Sequence, residues 1–133
     1  MKECRIIKIP NFGDERGKMS VLEADEALPF SPKRVFYIYD VPANQIRGQH
    51  ANTKTKFVMV AIKGSVKVTV SNGQEEESFI LDNPSKGLFL DSNTWKTMSD
   101  FSNDSALLVI ASAKYDKEEY ITDFEMFKSR RKQ

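Results

Sequence analysis

The chain has 133 residues, with 20 Lys and Arg against 19 Asp and Glu, one histidine and a formal charge of +1. That length suits one core, so a single domain over residues 1–133 is expected. The near-neutral balance excludes the broad basic field that draws proteins onto nucleic acid or anionic membranes, and neither partner is expected. No stretch has the length of a membrane-spanning helix, and Met1-Lys2-Glu3-Cys4 lacks the apolar run of an export signal, which predicts a cytoplasmic location.

Cys4 is the one cysteine, so it has no partner for a disulfide or a structural zinc site and reads as a reduced residue near a strand. Arg34 to Asp40 (Arg-Val-Phe-Tyr-Ile-Tyr-Asp) is dense in β-branched and aromatic residues and is closed by Pro42, which predicts a strand and a turn. Phe57 to Ile62 is a second apolar run. Val66, Val68 and Val70 alternate with polar residues before Asn72-Gly73, the pattern of a half-buried strand entering a tight hairpin. Glu75 to Glu77 reads as solvated and Ser78 to Leu81 as the returning strand. Leu88-Phe89-Leu90 predicts a short strand and Ala106 to Ser112 a long buried one. From Lys117 to Lys128, the residues Glu118, Tyr120, Ile121, Phe124 and Phe127 share one helical face, and Ser129 to Gln133 reads as a frayed basic tail. Short strands at short spacing, with one short C-terminal helix, point to an all-β barrel or sandwich.

His50 is the only histidine, in Arg47-Gly48-Gln49-His50-Ala51-Asn52, between two predicted strands. One histidine cannot supply the ligand shell of a histidine-rich metal site, so no metal is expected. If the backbone there is extended, His50 and Asn52 share a face and both can point into a barrel. The flanking Arg47 and Lys54 favour a site over a structural histidine. Arg16-Gly17 and Arg47-Gly48 each place a guanidinium beside a turn, where it grips a pyrophosphate or is merely solvated. Trp95, followed by Lys96, either walls a pocket or fills the core. No phosphate-binding glycine loop, dinucleotide fingerprint or serine elbow is present.

Several segments together resemble one family: Lys33 to Asp40, Arg47 to Ala51, Gly64-Ser65, Leu81 to Leu88, Asp100 to Ser102, and Tyr115 through Ile121. They are similar, in order and spacing, to the dTDP-4-keto-6-deoxyglucose 3,4-ketoisomerases. The resemblance implies a cupin jelly-roll barrel, a homodimer, a dTDP-linked keto-sugar as ligand, and no metal or other cofactor. It further implies transfer of the ketone from C4 to C3, and products used for 3-amino-3,6-dideoxy sugars of bacterial surface polysaccharide such as lipopolysaccharide O-antigen. An epimerase on the same scaffold and a non-catalytic sugar-nucleotide-binding partner protein are the alternatives.

The resemblance implies that the family's His-Ala-His motif places its base at His50, while Asn52 stands where the second histidine would be. Lys96 stands where many members carry another histidine, and Arg16 matches an arginine that in some members influences the configuration at C4. The C3 proton is acidified by the C4 carbonyl, so His50 can remove it and form an enediol. Tyr37, Asn52 or Lys96 would then donate to the developing oxyanion. Asn52 cannot exchange a net proton, so the hydroxyl proton must move through Tyr37 or water. The expected catalytic set is His50, Tyr37 and Asn52, and the expected substrate-binding set is Arg16, Arg47, Lys54, Trp95 and Lys96.

Overall fold

The computed structural model describes residues 1–131. Alternating and apolar runs become the strands β1 (Cys4–Lys8), β2 (Asn11–Asp14), β3 (Gly17–Ser20), β4 (Arg34–Tyr39), β5 (Arg47–Asn52) and β6 (Phe57–Lys63). After them come β7 (Val66–Ser71), β8 (Glu76–Leu81), β9 (Lys86–Leu90), β10 (Trp95–Ser99), β11 (Ala106–Ala111) and β12 (Tyr120–Ile121). One five-stranded sheet runs β1-β9-β6-β11-β4 and the other β12-β5-β10-β7-β8, while β2 and β3 form a separate exposed hairpin. Every strand pair is antiparallel. This is the all-β architecture that the strand patterns predict, in the cupin jelly-roll form that the family resemblance implies.

Where each strand sits follows from its pattern. Val66, Val68 and Val70 are fully buried and meet Phe57, Met59, Leu88, Leu90, Leu107 and Val109 between the sheets. The run from Phe57 to Ala61 is buried on both faces, because the outer side of its sheet is covered by Ile9, Leu28 and Phe30. A continuous apolar run marks a strand covered on both sides, whereas alternation marks one with a solvated face. β4 lies at the edge of its sheet, and its outer face leaves Val35, Tyr37 and Tyr39 exposed.

The C-terminal segment departs from the predicted helix. Lys117–Glu119 forms a single 3-10 turn, with the Asp116 side chain accepting from the Glu118 N–H at its start. Tyr120 and Ile121 then pair with Asn52 and Ala51, since the open edge of β5 offers these two β-favouring residues a ladder. Only Phe124–Arg131 is helical (α1), begun by Asp123 Oδ1 accepting from Met126 N at 3.0 Å. The predicted basic tail is also corrected over Ser129 to Arg131, which belong to α1, while Lys132 and Gln133 lie outside the described residues. Arg131 is held by Nε donating to the Asn72 carbonyl at 3.0 Å and by Glu3 at 3.5 Å.

Candidate active site

β5 is itself a strand, and its irregularity builds the site. Lys96 lies opposite His50 and Thr97 opposite Gly48, which leaves Gln49 as an extra residue in the ladder. Gly48 and Gln49 have φ of 84° and 58°. A Cβ on Gly48 would lie 2.9 Å from the Lys96 carbonyl oxygen and 2.9 Å from Met98 Cε, so glycine is required by conformation and by space. In an unbroken strand, residues three apart face opposite sides. The bulge cancels that rule, and Arg47 and His50 line the same cavity.

The cavity lies between the sheets and measures about 130 Å³. Phe36, Ile38, Phe57 and Met59 give it apolar walls, and Arg47, His50, Lys96 and Tyr120 supply its polar groups. Lys96 is 3% exposed. Its Nζ donates to Asn52 Oδ1 at 2.7 Å and sits 4.4 Å from the centre of the Phe57 ring. Burial lowers the Lys96 pKa to about 7, with Arg34 pushing the same way and Glu119 opposing. His50 is lowered to about 4, chiefly by burial and then by the charge of Lys96, against the Gly48 backbone and the Asn52 side chain. His50 is therefore a neutral ring near pH 7.

Glu119 fixes the turn after β5. Its carboxylate accepts from Lys54 N at 3.0 Å, from Thr55 N at 2.9 Å and from the Thr55 hydroxyl. Burial raises its pKa, but these hydrogen bonds outweigh burial and hold it below the ordinary value. At the other side of the cavity, the His50 ring lies 4.8 Å from Tyr120, which in turn lies 5.6 Å from Tyr115. The Arg34 guanidinium rests over Phe36 at 5.2 Å and Tyr115 at 5.7 Å. Its Nε and Nη2 are buried without a hydrogen-bond partner among the described residues. Buried guanidinium donors left open are suited to an incoming anion.

Of the residues singled out from the sequence, the fold brings together His50, Asn52, Lys96 and Arg47. Tyr37 is a correction: it alternates with the inward Phe36 and Ile38, so its ring is 63% exposed on the outer face and gives the cavity no donor. Trp95 is another, because it faces away from Lys96 and packs under α1, 5.1 Å from Phe124 and 5.7 Å from Phe127. Lys54 contributes its backbone N–H to Glu119, and its side chain is exposed. Arg16 sits at the tip of the β2–β3 hairpin, 2.7 Å from Asp14, and does not line the cavity of its own chain. Arg34 and Tyr120 were not singled out. The even spacing of Arg34 with Phe36 and Ile38 is a signal for the first, whereas Tyr120 was hidden in a segment that reads as helix. Among the described residues no three His, Cys, Asp or Glu side chains group as metal ligands.

The arrangement offers one neutral base, one buried amine opposite it and a cavity-lining arginine, in a small chamber with apolar walls. Such a set suits proton transfer on a ligand that carries an anionic group. The profile of the FdtA family, described as WxcM-like, C-terminal, matches residues 2–132. A TDP-4-oxo-6-deoxy-α-D-glucose-3,4-oxoisomerase of Aneurinibacillus thermoaerophilus is 36% identical over 126 residues, covering 95% of this chain and 91% of that one. A 3,4-ketoisomerase of Thermoanaerobacterium thermosaccharolyticum, a His-to-Asn variant in complex with TDP-4-keto-6-deoxyglucose, superposes with a TM-score of 0.96 at 32% identity over 99% of this chain and 96% of that one. A 4-keto-6-deoxy sugar epimerase of Streptomyces spheroides shares the fold alone, at 18% identity and a TM-score of 0.75 over 90% of this chain and 68% of that one.

Proposed function

The chain belongs to the FdtA family, WxcM-like, C-terminal, and we propose that it moves the ketone of a TDP-linked 4-keto-6-deoxyhexose from C4 to C3. It is a sugar-nucleotide 3,4-ketoisomerase. The observation that carries the mechanism is the inward His50, set directly opposite the buried Lys96 on the wall of one cavity.

His50 takes the proton from C3, and the charge that develops on O4 meets Lys96, held by Asn52. His50 then returns its proton at C4. The cavity of about 130 Å³ is well below the roughly 300–1,000 Å³ of a pocket for a whole drug-sized ligand. It takes the sugar ring, and the pyrophosphate and nucleoside lie along the mouth, where Arg47 and the open donors of Arg34 meet the phosphates. No metal takes part.

A product assay by NMR with TDP-4-keto-6-deoxyglucose tests this. A 3-keto product is expected, whereas an epimer or no turnover would overturn the reading.

The finer expectations travel with it. The chain works as one domain over residues 1–133 in the cytoplasm, and its product feeds amino-dideoxy sugars of surface polysaccharide such as lipopolysaccharide O-antigen. It acts as a homodimer, a reading supported by the edge strand β4 with Val35, Tyr37 and Tyr39 exposed. A monomer mass in light scattering at micromolar concentration would remove the dimer. Among the described residues no helix is long and apolar enough to cross a membrane.

A further inference from the structure

Moving a ketone between neighbouring carbons requires two proton transfers, and His50 accounts for only one of them. The hydrogen on C3 must reach C4, and the hydrogen on O3 must reach O4. The second route needs a group inside the cavity that both donates and accepts. Asn52 cannot serve, because an amide exchanges no net proton. Tyr37 is on the outer face of β4. Two cavity groups remain. One is Tyr120, whose ring is packed between His50 and Tyr115. The other is Lys96, which stands directly opposite His50 across the β5–β10 ladder and whose one hydrogen bond among the described residues is to a neutral amide oxygen, so that it is the better placed of the two.

Building on the ketoisomerase reading, we propose that Lys96 is the proton carrier between the two oxygens, giving a proton to O4 and then taking the proton of O3. The steps balance without any outside reagent. As His50 takes the C3 hydrogen, the C3–H electron pair forms the C3=C4 bond, the carbonyl pair moves to O4, and the Lys96 ammonium protonates O4. The result is the enediol, with His50 protonated and Lys96 a neutral amine. Lys96 then takes the O3 proton, C3=O forms, and the C3=C4 pair takes the proton of His50 at C4. Both side chains return to their starting states. Because O3 and O4 are on adjacent carbons, one Nζ serves both, and the Asn52 bond holds it in place.

The groups facing Lys96 permit such a role. His50 lies opposite on β5, Arg34 acts from β4, Glu119 from the turn before β12, and the Cys4 thiol from β1, raised by burial to about 12 and thus uncharged. Glu119 is the only anion among them, and its oxygens are engaged by Thr55 and the Lys54 and Thr55 backbone. Among the described residues no carboxylate bonds Nζ and locks it as an ammonium. With burial lowering it to about 7, both of its forms are populated near neutral pH.

The experiment compares the parent with Lys96→Met and Lys96→His, both no larger than lysine and so accommodated in the buried site. TDP binding serves as the control for folding. Lys96→Met should lose about 100-fold or more in kcat with TDP affinity kept, while Lys96→His, which again carries a titratable proton, should recover to within about tenfold of the parent. The alkaline limb of kcat should vanish in Lys96→Met and reappear, displaced, in Lys96→His. Parental kcat in Lys96→Met would overturn the proposal, and so would Lys96→His falling as low as Lys96→Met. If the parent itself makes no 3-keto product, the ketoisomerase reading fails, an outcome distinct from either variant result.

Discussion

His50 and Lys96 are directly opposed residues on neighbouring antiparallel strands, and the charge of Lys96 is one of the forces that keep His50 unprotonated. The base must be neutral and the amine protonated at the start of a turnover. The pH profile of kcat/KM should therefore be a bell, rising near pH 4 as His50 loses its proton and falling near pH 7 as Lys96 loses its own. An acid limb at the ordinary histidine value of 6.5 would contradict the burial of His50.

Stability should also depend on pH through Lys96. Its folded pKa of about 7 is below the ordinary 10.5, so between these values the unfolded chain binds more protons. Stability then rises with pH across that window and is lower below it. Thermal melts from pH 7 to 10 should show the rise in the parent and a flatter response in Lys96→Met.

Replacing His50 by Asn keeps a polar side chain but removes the base, and turnover should fall by about two to four orders of magnitude. TDP binding, measured by calorimetry, should survive. Parental turnover in this variant would move the base elsewhere.

Arg47 lines the cavity beside His50, and Arg34 presents unpaired donors nearby. Changing either to Lys keeps the charge and removes the planar fork, so TDP affinity should weaken by about tenfold, near 1.4 kcal/mol. Unchanged Kd in both variants would place the phosphates elsewhere.

Gly48→Ala tests the bulge. A side chain at φ of 84° meets the Lys96 carbonyl oxygen and Met98 Cε, so the variant should lose roughly 1–3 kcal/mol of stability from backbone strain alone. Activity should fall further than stability explains, because Arg47 and His50 are re-aimed. A parental melting temperature and kcat together would show that the bulge tolerates a Cβ.

Much of the barrel is legible in residue patterns. The valines of β7, the apolar run of β6 and the dense β4 each carry a period that burial enforces. The C-terminal segment misleads because Tyr120 and Ile121 fit a helical face as well as a strand, and only the open edge of β5, remote in sequence, decides between them. In the site, His50 and Asn52 share a face as the two-residue repeat of a strand demands. Tyr37 fails by the same repeat, since Phe36 and Ile38 take the inward positions of β4. Trp95 turns outward because its neighbour Lys96 turns inward, an outcome that the Lys96 Nζ over the face of the Phe57 ring makes tolerable. Arg34 stays hidden because a lone arginine at a strand start looks solvated until the rings of Phe36 and Tyr115 close over it.

The unpaired Gln49 turns the site into a matter of parity. An arginine and a histidine separated by an odd number of positions reach one side of a sheet only if the strand holds one residue too many. In related chains the count between the two is thus a reading of backbone shape: odd spacing demands the bulge and a left-handed glycine, and even spacing means a smooth strand. Two chains aligned by residue type alone, with the same arginine and histidine, can differ in whether both face the sugar.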